Sequence, residues 1–114
     1  MKFINLTPHP ITIDGLGTIE PSGTIARVAT LRTVIGAVEG VRVTAQNMGQ
    51  VTGLPDSEFN VAYIVSGMVL DAIKRHVMPG GESRAGKDVY APDTGADAVR
   101  DERGHIVAVR GLVA

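Results

Sequence analysis

With 114 residues and a formal net charge of −1, the chain has room for one domain around a single core and lacks the basic excess that holds duplex DNA by its phosphates. The absence of cysteine removes disulfides, thiolate metal sites and a cysteine nucleophile, and 4% aromatics with no Trp leave no platform for stacking single-stranded bases. No apolar run reaches the roughly 20 residues of a membrane helix, and no apolar leader opens the chain, so no membrane partner and an intracellular location are expected.

From the N-terminus, runs rich in β-branched residues at 2–6, 11–14, 18–20, 24–31, 34–38 and 41–45 predict short strands. Asp14-Gly15, Pro21-Ser22-Gly23 and Glu39-Gly40 supply the turns between them, which gives a meander of hairpins. Residues 46–60 hold Gly49, Gly53, Pro55, Asp56 and Ser57, the composition of a partly extended connector. Val61-Ala62-Tyr63-Ile64-Val65 is apolar without alternation, the pattern of a central strand covered on both faces. Ser66 then stands at an N-cap, and Met68, Val69, Ala72, Ile73 and Val77 recur at helical spacing opposite Asp71, Lys74 and Arg75, predicting one helix over about 67–78. Pro79-Gly80-Gly81 stops it, and a polar, turn-rich stretch predicts a flexible loop near 79–95. Residues 98–100 and 105–112 close the chain as a pair around Asp101-Glu102-Arg103-Gly104. The sum is a single α+β domain over 1–114, a mostly antiparallel or mixed β-sheet with one principal helix on one face.

Within the expected loop, Gly81, Gly86 and Lys87 nearly spell a phosphate-binding P-loop, but Asp88 replaces the magnesium-binding hydroxyl and the segment follows a helix instead of a strand. An anion site fits better at Ser66-Gly67, where a buried strand meets a helix start whose free N–H groups carry partial positive charge; the plainer role for Ser66 is an ordinary N-cap. Pro8 and Pro10 stiffen the segment that carries Thr7 and His9. His9 suits either a hydrogen-bonded turn or a ligand contact, and would be the acid/base were the protein an enzyme. Arg84, Arg100 and Arg110 are candidate guanidinium partners for phosphate or carboxylate. The three histidines are scattered, and Asp93, Asp97 and Asp101 lie where Pro92 and Gly95 oppose a helix, so neither a metal site nor a cofactor is expected.

The segments F-I-N-L-T-P-H-P-I (3–11), P-S-G-T-I-A-R-V (21–28), G-L-P-D (53–56), Y-I-V-S (63–66), V-Y-A-P-D-T-G (89–95) and I-V-A-V-R-G-L (106–112) together resemble a group of small uncharacterised phage and prophage proteins, notably of actinobacteria. The opening N-L-T-P-H is also similar to the N-L-T/S-x-H start of some nucleotide-sensing proteins associated with CRISPR systems. The first resemblance implies a phage-encoded binding protein in the host cytoplasm. Its expected form is a homo-oligomer that sequesters a small anionic ligand, a cyclic nucleotide or ADP-ribose derivative used as a defence signal, through Thr7, His9, Ser66, Gly67, Arg84, Arg100 and Arg110. Two alternatives stay open: a virion or host-protein interaction module, and a phosphodiesterase that cleaves the signal with His9 as acid/base.

Overall fold

A computed structural model describes residues 2–75 and 83–114. In chain order the elements are β1 (Lys2–Asn5), β2 (Ile11–Ile13), β3 (Gly17–Ile19), β4 (Arg27–Val38), β5 (Val41–Thr52), β6 (Val61–Ile64), α1 (Gly67–Arg75), β7 (Val89–Pro92), β8 (Val99–Arg100), β9 (Ile106–Ala108) and β10 (Leu112–Val113). The fold is α+β with mixed and antiparallel pairing, as the sequence pattern implies.

The apolar run 61–65 does form the centre. β6 pairs in parallel with β1 on one side and β7 on the other, and β10 closes the sheet antiparallel to β7. Because successive strand residues face opposite ways, Tyr63 and Val65 enter one core with Leu6, Ala26, Val69, Leu70, Val89 and Ala91. Ile64 enters a second core with Ile11, Ile13 and Val109. Helix α1 covers the first face, and the β2–β3 hairpin with the chain around Val109 covers the second. Each fully buried aliphatic side chain stabilises by about 1.5–3 kcal/mol relative to exposure, which is why an uninterrupted apolar run belongs here.

Helix α1 begins where expected: the Val69 amide donates to the Ser66 hydroxyl (3.3 Å) and the Leu70 amide to the Ser66 carbonyl (2.9 Å). Its buried side is Val69, Leu70 and Ala72, and Lys74 and Arg75 oppose the negative end of the helix dipole. Residues 76–78 of the expected helix, and 79–82 of the expected loop, lie outside the described residues.

Three expectations change. Residues 24–31 and 34–38 are not separate strands, since β4 runs unbroken over Arg27–Val38. Residues 46–52 are not connector but the second half of β5, where Gln46 pairs with Arg32 and Asn47 with Leu31. Polar residues are tolerated there because the ribbon faces water, so strand pairing needs no apolar alternation. Val89–Pro92, placed in a loop by the polarity around it, is the inner strand β7, with Val89 and Ala91 fully buried.

Candidate functional site

The turn after β1 is built on a buried amide. Asn5, 1% exposed, donates through Nδ2 to the carbonyls of His9 (2.8 Å) and Ile19 (3.0 Å), and its Oδ1 accepts from the Thr7 amide (2.9 Å) and hydroxyl (2.6 Å). All its polar atoms are satisfied, as burial requires. Thr7 is thereby tied into the turn, while the His9 side chain stands exposed. Asn5 is not among the predicted site residues, although N-x-T before a proline is a recognisable Asx-turn signal.

Parallel pairing carries this turn to the helix start. The Leu6 amide donates to the Ile64 carbonyl (2.8 Å), so Thr7–His9 and Ser66–Gly67 both leave the carboxyl ends of adjacent parallel strands, the edge where open sheets usually hold ligands. A cleft there is lined by Pro8, Ile25, Arg27, Ser66 and Met68. Arg27 is the cation that the structure adds to the predicted set. It comes from the first residue of β4, far from Ser66 in sequence.

The other arginines lie elsewhere. Arg84 precedes β7, at the opposite end of the parallel strands. It pairs with Asp88 (2.8 Å) and stands over the Tyr63 ring at 5.8 Å, while Asp88 also accepts from the Ser57 hydroxyl (2.7 Å). Burial works against the Asp88 carboxylate, but hydrogen bonds from Arg84 and Ser57 and the guanidinium charge outweigh it and hold its pKa below the ordinary value. Burial, reinforced by Glu58, raises the Tyr63 phenol, whose hydroxyl donates to the Asp56 carbonyl (3.0 Å). In the near P-loop the amides of Lys87, Asp88 and Val89 all turn inward to the Arg84 carbonyl (3.0–3.2 Å), so they do not face a phosphate. Arg100 donates to the Gly104 carbonyl (2.9 Å) within its own hairpin turn, and Arg110 is exposed between β9 and β10. Among the described residues no three acidic or histidine side chains could hold a metal ion, and no helix is long and apolar enough to cross a membrane. Against protein-family models, curated proteins and solved structures, the chain finds no match.

The largest unexplained feature is the β4–β5 ribbon. Val38 faces Val41 across a turn in which Glu39 (φ 51°) and Gly40 (φ 77°) are both left-handed, the mark of a two-residue type I′ hairpin. Near the base, Val28 and Val51 pack on the first core; beyond them, no other strand among the described residues pairs with the ribbon. Leu31, Val34, Ile35, Val38 and Val41 are 57–66% exposed. Residues directly opposite across an antiparallel pair share a face. From the register, Leu31, Thr33, Val38, Val41, Val43 and Ala45 form one face, with Asn47 at its inner end, and Arg32, Val34, Arg42, Thr44 and Gln46 the other. Ile35 is the extra residue of a bulge between Val34 and Gly36. By shifting the phase of β4 one step, the bulge puts Val38 on the same side as Leu31. The arm therefore has an apolar face and a face carrying two arginines. Phe59, in the turn before β6, is a second exposed apolar point at 99%.

Proposed function

We propose that the protein is an interaction module whose β4–β5 arm is the contact element. The observation that carries this reading is an apolar ribbon face standing in water. A two-stranded hairpin is at best marginally stable alone, and contiguous exposed apolar patches on soluble proteins commonly mark binding surfaces. In the phage setting that the sequence resemblance implies, the partner is a virion or host protein or another subunit. The test is co-purification of tagged full-length protein from cells that carry the phage or prophage, beside a Val38→Lys/Val41→Lys variant. A stoichiometric partner retained by the wild type and lost by the variant is expected; wild-type and variant chains with identical partners would refute an arm-based role.

A second reading is favoured by one specific observation, the cleft that gathers Pro8, Arg27 and Ser66 at the carboxyl ends of β1 and β6. In it the protein sequesters a small anionic, nucleotide-derived ligand, with Arg27 as counter-charge and Ser66-Gly67 supplying hydrogen-bond donors. Calorimetry against cyclic nucleotides and ADP-ribose derivatives tests it, with Arg27→Ala expected to weaken binding about tenfold or more. Folded wild-type protein that binds none of them at high ligand concentration removes this reading. Mass analysis of the ligand after incubation separates sequestration, which returns it intact, from phosphodiester cleavage.

A further inference from the structure

Resting on the reading of β4–β5 as a contact element, we infer that its partner is a second copy of this chain, with each arm seated in an apolar groove of the other copy. The groove is lined by Pro10, Ile11, Thr12, Pro92, Thr94 and residues 106–109. Ile106 and Val107 are exposed in that region, so the groove offers the apolar face of the arm a surface of its own kind.

Charge favours this occupant. Arg27, Arg32 and Arg42 against Glu39 leave residues 27–52 at +2, and since the whole chain carries −1, the remainder carries −3. Asp93 lies between the lining residues Pro92 and Thr94, and the Asp14 amide is bonded to the Val109 carbonyl (2.7 Å), so carboxylates stand beside the groove, with Arg110 the neighbouring cation. Arm and body attract, whereas two arms laid face to face repel. The long stems of Arg32 and Arg42 can lie along the ribbon edge and deliver their guanidinium groups to those carboxylates while the apolar face is covered.

Area decides between the two arrangements. About nine residues of each strand extend past the packed base, a length of about 30 Å at strand rise, and two strands are about 10 Å wide. One such face covers about 300 Å² on each side of a contact. Two arms paired with each other bury about 600 Å² in all, in the range of crystal-packing contacts, whereas two reciprocal contacts, each with the whole arm face laid over the groove and the body surface around it, bury about 1,200 Å², the lower edge of stable interfaces. Reciprocal seating is also what a two-fold dimer requires, since each surface meets its complement once on either side of the axis.

Sedimentation velocity on the full chain, at low- and high-micromolar concentration and at two salt concentrations, tests the inference. The wild type is expected to sediment as a dimer that weakens with salt. Val38→Lys/Val41→Lys on the arm and Val107→Lys on the groove should each weaken association about tenfold or more, with the circular dichroism of the folded chain retained because these positions are exposed. A wild type that stays monomeric at high concentration overturns the inference, as does a Val107→Lys variant that dimerises like wild type. Either failure leaves the broader arm reading to the co-purification result: an arm-dependent stoichiometric partner of another kind sustains it, and identical partners for both chains end it too.

Discussion

An amide side chain that is 1% exposed needs a partner for each polar atom, and Asn5 has four within 3.0 Å. Removing it leaves the Ile19 carbonyl and the Thr7 amide without that partner inside the protein, at about 1–3 kcal/mol for each buried group. Asn5→Ala is therefore expected to cost about 3 kcal/mol in chemical denaturation, and a loss under 1 kcal/mol would show that water replaces the amide. Asp88 gives a prediction in pH. Its folded pKa lies below the unfolded value of about 3.9, so its contribution is present above that value and disappears as pH falls through the folded one. The gap in melting temperature between wild type and Asp88→Asn should be widest near neutrality and close below about pH 4. A gap that is constant across the acid range would show that the Arg84–Asp88 pair adds nothing that depends on charge.

At the scale of elements, Gly53 fixes the base of the arm. Gly53 follows β5 with φ +80°, and a Cβ built there would strike the backbone carbonyl of Ile25. Gly53→Ala thus combines a left-handed penalty with a backbone clash and is expected to cost about 2 kcal/mol or more, against about 1 kcal/mol for Gly15→Ala, where φ is also positive but the space beside the glycine is open, so that only the conformational part is lost. Comparing the two variants by urea denaturation isolates the clash. The same scale shows what the sequence could reveal. Strand β6 and helix α1 were legible because burial selects an apolar run on one and helical spacing on the other, and Ser66 announced the junction. The arm was legible only at its tip, where runs at 34–38 and 41–45 flank Glu39-Gly40; its full length was not, because a ribbon in solvent is held by cross-strand pairing, so Gln46, Asn47 and Gln50 sit in β5 as comfortably as valine. Strand β7 was hidden by its shortness and by the polar stretch before it. The cleft was half legible: Ser66 and the Thr7–His9 turn carry local signals, whereas Arg27 reaches them only through tertiary packing that no local spacing encodes.

The whole molecule is wider than its length calls for. A compact chain of about 114 residues has a radius of gyration of about 13 Å, against 16.6 Å here, with extents of 51 × 44 × 24 Å, and a long ribbon extending past its packed base is a direct source of that excess. Neither core contains a residue between 30 and 48, so the body should fold without the distal arm. Joining the direct partners Leu31 and Asn47 through an Asn-Gly turn, a pair suited to the I′ geometry, is expected to leave the melting temperature within about 4 °C of wild type, the shift that about 1 kcal/mol produces in a domain of this size. Small-angle scattering at high salt, where association is weakest, should show the radius of gyration falling toward about 13 Å. Glu39 makes the same point from within the arm. A left-handed glutamate is strained, and a turn retained at some cost in stability is consistent with a ribbon kept for contact and not for the stability of the body. Should the shortened chain instead unfold, the arm belongs to the folding unit, and its exposed face would then have to be covered for the isolated body to exist.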